Sequence, residues 1–297
     1  MGITLFRAIR RSTQVFGLVL SNVYISVFVR GQIYKGPFKS VCVPFLYCHA
    51  CPTATFSCPI GAVQHFMAIH KFPFFIVGHF ALLGLLVGRT ACGWLCPFGL
   101  LQDLLYRLET RKIRIPRAFS IGPYVVLLLL VLMLPFVTSE HWFSKLCPVG
   151  TLVAGIPWVA WNPVNPETGE VMIAANTLGF LFVTKLAILG GFLGLFVVAK
   201  RPFCRFVCPV GLFLSFFNKI SILKLKVTED CDRCDTCRKM CPMDIKVYED
   251  PNSGDCIRCL DCTACAKVTV TASLPGCPTN AASHGTATEK AVGAKTP

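Results

Sequence analysis

Four apolar stretches dominate the chain, at residues 15–29, 72–88, 119–137 and 177–199. Each approaches the roughly 20 helical residues needed to cross a hydrocarbon core. The first two are short for a full span, a deficit that small tilt, flanking residues or local thinning of the bilayer can absorb. Only 15% of the 297 residues are charged and 54% are hydrophobic, against about 25% charged in soluble domains. A water-soluble fold would have to hide more apolar surface than this length allows. The net charge of +14 does not indicate a nucleic-acid partner, because the cations cluster beside the apolar runs. The sequence predicts an all-α membrane protein with four transmembrane helices.

Arg7, Arg10 and Arg11 precede the first apolar run, but residues 28–31 offer no small-residue cleavage site, so an uncleaved anchor is expected. With four spans, one face collects fifteen Lys and Arg residues and the other only five: Arg30, Lys35, Lys39, Lys71 and Lys145. Trp142, Trp158 and Trp161 suit the aromatic belt of that second face. The positive-inside rule puts both termini in the cytoplasm, the topology of a multi-pass protein of the cell inner membrane. Composition changes after Lys226: residues 1–227 carry an excess of basic groups, whereas 228–267 hold nine Asp and Glu against six Lys and Arg. Three regions follow, a membrane domain at 1–226, a small acidic domain at 227–277 and a tail at 278–297 whose Ala, Thr, Gly and Ser show no periodicity.

The membrane domain repeats itself. Cys58-Pro59-Ile60-Gly61 leads through a span to Cys92-x3-Cys96-Pro97-Phe98-Gly99, and Cys147-Pro148-Val149-Gly150 leads through another to Cys204-x3-Cys208-Pro209-Val210-Gly211. Each half reads CP-x-G, helix, C-x3-CP-x-G, helix, with an insertion near residues 162–172 in the second. Duplicated halves commonly pack about a pseudo-two-fold axis and share sites where they meet, so two pseudo-symmetric halves are expected.

The 18 cysteines carry the chemistry. In the acidic domain, Cys231-x2-Cys234-x2-Cys237-x3-Cys241-Pro242 is the bacterial ferredoxin run, in which three close thiolates hold one [4Fe-4S] cluster and the fourth reaches the other cluster. Cys256-x2-Cys259-x2-Cys262-x2-Cys265 follows. The crossing rule assigns Cys231, Cys234, Cys237 and Cys265 to one cluster, and Cys256, Cys259, Cys262 and Cys241 to the second. The second run lacks the usual spacing and Pro at its end, so Cys277 competes with Cys265, and zinc is the alternative to iron and sulfide. The membrane cysteines sort by face into Cys92, Cys96, Cys204 and Cys208 inside, and Cys48, Cys51, Cys58 and Cys147 outside, with His49 and Cys42 nearby. Each set supplies the four ligands of a [4Fe-4S] cluster, and Pro after a ligand ends the preceding helix so that the thiolate faces the site. Disulfides or a redox thiol pair are the rivals. No C-x-x-C-H occurs; His65, His70 and His79 are candidates for haem b or for satisfied core positions. Lys185 lies inside the fourth span, as a functional charge or a snorkelling one. Gln102, Asp103 and Arg107 lie at one-turn spacing, as quinone contacts or a solvated helix face.

These features resemble the NapH-type membrane iron-sulfur subunits, and the related NosR-type and other polyferredoxin-like proteins, over residues 1–267. The resemblance implies oxidation of membrane quinol and delivery of electrons to redox partners, with Cys92, Cys96, Cys204 and Cys208 near the quinone chemistry and the eight cysteines from Cys231 to Cys265 as cluster ligands. The group Cys48-x2-Cys51-x6-Cys58 departs from the simplest NapH pattern. The reading from sequence is an integral membrane electron-transfer protein, a subunit of a quinol-linked oxidoreductase complex, holding two to four [4Fe-4S] clusters with lipid, quinone and other redox subunits as partners. The alternative is an assembly or regulatory protein for maturation of a metalloenzyme.

Overall fold

The computed structural model describes residues 3–113, 117–162 and 179–272. In chain order the main elements are α1 (Ile3–Ser21), α2 (Pro59–Ala68), α3 (Phe74–Val87), α4 (Pro97–Leu105), α5 (Phe119–Thr138), α6 (Pro148–Trp161), α7 (Phe180–Val198) and α8 (Pro209–Ser215). Two strands follow, β1 (Leu223–Val227) and β2 (Val268–Ala272). The fold is mostly helical. Among the described helices, α5 and α7 are long and apolar enough to cross a membrane, whereas α3 and α6 are shorter apolar helices. Most of α5 and α7 faces outward: Phe180 is 88% exposed and Val137 74%. Exposed apolar surface on this scale marks contact with lipid or protein, unlike the core helix of a soluble domain.

Three features differ from the expectation. The first helix begins at Ile3, so Arg7, Arg10 and Arg11 lie within it instead of ahead of it. It can start there because its buried stripe is polar: Arg10, Gln14 and Ser21, at helical spacing, face the protein while Leu5, Phe16 and Val19 face out. Second, α5 and α6 are not uniform α-helices. A π-helical segment, Val126–Met133 in α5 and Thr151–Gly155 in α6, runs up to a proline, Pro135 or Pro157. Proline lacks an N–H and crowds the carbonyl a turn before it, and a π segment is one way a helix absorbs that defect without breaking. In α5 the carbonyl of Leu130 accepts the Gln64 side chain of α2 at 3.0 Å. Third, the chain is not wholly helical. β1 pairs antiparallel with β2, Leu225 opposite Val270, which ties residues 223–227 to the cysteine-rich unit that follows. Cys277, the tail at 278–297 and most of the insertion at 162–172 lie outside the described residues.

The main core contains an aromatic stack. Phe98 of α4 meets Phe196 of α7 and Phe203, with ring centroids 5.5 and 5.1 Å apart, and Phe192 meets Phe203 at 5.4 Å. Phe196 and Phe203 are fully buried. Replacing Phe203 by Ala is expected to cost about 3–5 kcal/mol, seen as a lower thermal unfolding midpoint of the detergent-solubilised protein. Phe180→Ala, on the exposed end of α7, should change it by less than about 0.5 kcal/mol.

Candidate metal centres

The four CP-x-G motifs share one local geometry. Cys58, Cys96, Cys147 and Cys208 each take an extended backbone, with φ from −75° to −65° and ψ from 110° to 125°, at the N-cap of a helix whose first residue is the proline. Proline is suited to that first position because its missing N–H has no helical partner to lose. In two of the four the glycine amide then turns back on the sulfur, Gly61 N–H donating to Cys58 Sγ at 3.5 Å and Gly211 N–H to Cys208 Sγ at 3.4 Å. Beyond ending the preceding turn, the proline therefore starts a helix whose free N–H groups serve the sulfur.

Cys92, Cys96, Cys204 and Cys208 come together. All four are buried, and burial pushes the Cys96 thiol up to about 12, with the charges of Cys204 and Cys92 adding to it. Two buried arginines cross between the halves. Arg89 donates to the Cys204 carbonyl at 2.7 Å, and Arg201 donates to the Cys92 carbonyl at 3.1 Å. Arg201 is also held by Asp103, its Nε and Nη2 bonding the two carboxylate oxygens at 2.7 and 2.5 Å. The motif glycines make room for these side chains: a Cβ on Gly211 would stand 2.5 Å from Arg89 Nη2, and one on Gly99 3.2 Å from Arg201 Nη1. Gln102 is fully buried and donates to Cys204 Sγ at 3.1 Å. Gln102 and Asp103 thus serve the thiol set and its arginines, and α4 presents them inward instead of as a solvated face.

Cys48, Cys51, Cys58 and Cys147 form the second group. Burial pushes Cys48 and Cys147 up to about 12, with Cys58 adding to both, and Gly150 leaves its Cβ direction open to Cys48 Sγ, 3.5 Å away. Lys39 donates to the carbonyls of His49 and Ala54 at 2.7 and 3.1 Å, and the Cys48 and Cys51 charges oppose the lowering that burial imposes on its ammonium. Cys42 lies within the field of Cys58. His65 stacks on His141 with centroids 6.0 Å apart, and His70 meets Phe136. Lys185 sits five residues into α7.

In the C-terminal unit the two runs lie close enough for their thiols to influence one another: Cys237 is affected by Cys231 and Cys265, Cys256 and Cys259 by Cys241, and Cys262 by Cys256, Cys241 and Cys237. No described cysteine is in a disulfide. Nor, among the described residues, does any group of three or more His, Cys, Asp or Glu converge closely enough to hold a single metal ion. A zinc site needs sulfurs about 2.3 Å from one point. Four thiols per group is the donor number of a [4Fe-4S] cluster. Burial fits as well, since thiolates out of water require cationic compensation.

One helix connects the groups. On a single face of α1, Arg10 Nη1 bonds Asp261 between Cys259 and Cys262 at 2.9 Å, Gln14 donates to the carbonyl of Gly93 between Cys92 and Cys96 at 3.1 Å, and the Ser21 carbonyl accepts from Thr55, between Cys51 and Cys58, at 3.1 Å. At 1.5 Å per residue these contacts span about 16 Å of helix. Gly17 lies tight against the Leu95 carbonyl, where a Cβ would stand at 2.6 Å, and a Cβ on Gly93 would stand 2.5 Å from the Ile257 carbonyl. The inner thiol set therefore packs directly on the second ferredoxin run. Asn218 closes the same junction, donating to the carbonyls of Ser253 and Cys256 at 2.8 and 2.7 Å. Arg89, Arg201 and Gln102 were not singled out as parts of this site from the sequence. A signal existed for the arginines, because each stands three residues before the first cysteine of its C-x3-C pair.

A family described as a 4Fe-4S binding domain matches residues 55–74, 69–116 and 181–228. An uncharacterised protein of Methanocaldococcus jannaschii is 32% identical over 195 residues, 63% of this chain and 72% of that protein. The ferredoxin-type protein NapH of Haemophilus influenzae is 28% identical over 203 residues, 63% of this chain and 61% of that protein. The regulatory protein NosR of Pseudomonas aeruginosa is 30% identical over 200 residues, but these are only 25% of its length. No solved structure matches.

The crossed arginines yield a direct check. Gly211→Ala places a methyl group against Arg89 and is expected to cost about 1–3 kcal/mol as overpacking, read as a lower unfolding midpoint. Gly190→Ala, with open space around its Cβ direction, should be neutral or slightly stabilising by helix propensity.

Proposed function

Because the chain belongs to the family of NapH- and NosR-like membrane iron-sulfur proteins, we propose that it is a multi-pass inner-membrane electron carrier that links the membrane quinone pool to protein redox partners. Its cofactors are [4Fe-4S] clusters, which supply one-electron redox chemistry when bound. In this reading four clusters are held by the four cysteine groups. Cys48, Cys51, Cys58 and Cys147 hold one and Cys92, Cys96, Cys204 and Cys208 a second. Cys231, Cys234, Cys237 and Cys265 hold a third, and Cys241, Cys256, Cys259 and Cys262 the fourth.

The observation that carries this reading is the alignment of three of these groups along one face of α1 within about 16 Å. The hydrocarbon core is about 30 Å thick, so groups kept at opposite membrane surfaces would stand much farther apart. Support for a shorter path comes from α2 and α6, which open at Pro59 and Pro148 with Cys58 and Cys147 as their N-caps. Both let a CP-x-G turn sit below the membrane surface, enclosed by protein as irregular backbone at that depth requires. The family match to both 69–116 and 181–228 supports two related halves, and the reciprocal arginines support a site shared between them. The residues of the chain bury Cys92, Cys96, Cys204 and Cys208 away from water, donate N–H groups to Cys204 and Cys208 sulfur and hold Arg89 and Arg201 as fixed positive charge beside that set. The name of the NosR relative favours a second reading, in which the same path supplies electrons to regulation or maturation of a metalloenzyme.

Iron and sulfide analysis of full-length protein purified without air tests the proposal. About sixteen irons per chain are expected, falling by about four in Cys58→Ala and in Cys204→Ala. About eight irons, unchanged by either substitution, would leave the membrane cysteines without clusters and overturn the path.

Orientation is tested separately. Both termini are expected in the cytoplasm, from fifteen basic residues against five. A reporter fused at residue 297 should be active only if it works inside the cell; activity of an externally dependent reporter contradicts the topology.

A further inference from the structure

We propose that the junction of α1, α4 and the ferredoxin unit is a binding site for the headgroup of an anionic phospholipid. A cavity of about 380 Å³ opens there, lined by seven Lys and Arg side chains and two Asp. The two acids are already committed. Asp261 is bonded by Arg7 at 3.3 Å and Arg10 at 2.9 Å, and Asp103 by Arg201 at 2.5 Å. Among the described residues, Arg11, Arg107, Lys200 and Lys239 have no acidic partner; Lys200 donates to the backbone carbonyls of Lys239 and Cys241. Arg10 is 5% exposed, yet its Nε is buried without a hydrogen-bond partner. A buried guanidinium N–H left unpaired is destabilising, and an acceptor oxygen entering the cavity would relieve it.

The shape of the surface beside the cavity selects an amphiphile over a soluble anion. Val15 and Leu18 follow Arg11 at i+4 and i+7, hence on its side of α1, and are 47% and 40% exposed. They lie one and two turns further along the helix, in the direction of the outer thiol group. Leu104 and Leu108, 57% and 52% exposed, flank Arg107 on the other wall. A phosphate held by Arg11 and Arg107 would leave its acyl chains running over these residues. Basic pockets between membrane helices on the cytoplasmic side are suited to anionic lipid headgroups. The site rests on the membrane orientation proposed above, but not on the occupancy of the thiol groups.

The test is titration of the full-length protein in a neutral detergent with phosphatidylglycerol or phosphatidylcholine, followed by native mass spectrometry. Phosphatidylglycerol is expected to bind at least tenfold more tightly than phosphatidylcholine. The double variant Arg11→Gln/Arg107→Gln should bring the two lipids level. Lys219→Gln, an exposed cation of the same basic face outside the cavity, should bind as the unaltered protein does, and unchanged iron content in each variant shows that the fold is intact. Equal binding of the two lipids, or a loss in Lys219→Gln as large as in the double variant, overturns a defined site. Competition by millimolar inorganic phosphate as strong as that by phosphatidylglycerol would assign the cavity to a soluble phosphate instead of a lipid.

Discussion

Sulfur buried away from water governs this molecule. A thiolate inside protein needs cations, N–H donors or both, and the chain sets a cysteine at a helix N-cap with a proline that opens the helix at four places, with a glycine amide bonded to the sulfur at Cys58 and Cys208. The consequence reaches beyond the sites. Helices must begin where the sulfurs are, not where the membrane surface is, so the apolar segments are divided into short pieces such as Pro59–Ala68 and Phe74–Val87. The π segments before Pro135 and Pro157 belong to the same compromise.

Positive charge is the second half of that arrangement. Arg89 and Arg201 are nearly inaccessible to water, a costly placement for any cation unless carbonyls and counter-charges surround it. Arg89 gives one hydrogen bond to the Cys204 carbonyl and another to that of Gly254, and Arg201 gives one to the Cys92 carbonyl and two to Asp103, so each links the cysteine turn of one repeat to the other. The Arg201–Asp103 pair continues through Arg10 to Asp261, 3.7 and 2.9 Å at the next two steps. Ionic contacts thereby run from the C-x3-C turns to the cysteine-rich C-terminal region.

Much of this was legible in residue spacing. The repeat predicts that Cys92 and Cys96 group with Cys204 and Cys208, and Gln102 on the Cys204 sulfur and Arg201 on the Cys92 carbonyl bring those turns together; the division of the ferredoxin-run cysteines between two clusters is a proposal from spacing. What spacing could not convey was the content of α1. Its buried face is polar, so hydropathy registered only the apolar later half and placed the helix start twelve residues late. The short pairing of Leu223–Val227 with Val268–Ala272 was equally invisible, because two five-residue strands separated by a cysteine-rich loop carry no local signal. Gln102 looked like a surface residue because its partner, the Cys204 sulfur, lies 102 positions away.

The reach of α1 also sets an order of events. Arg10 meets Asp261 across 251 residues of intervening chain, among the longest separations the fold contains. Contacts of such high sequence separation close slowly, since loop entropy must be overcome before they form, and here the partner is also synthesised last. Until it arrives, the ferredoxin unit is undocked, and the turn at Gly93 that Ile257 later covers stands open. The junction that Arg10 and Gly93 make with residues 257–261 is therefore a late-closing part of the fold.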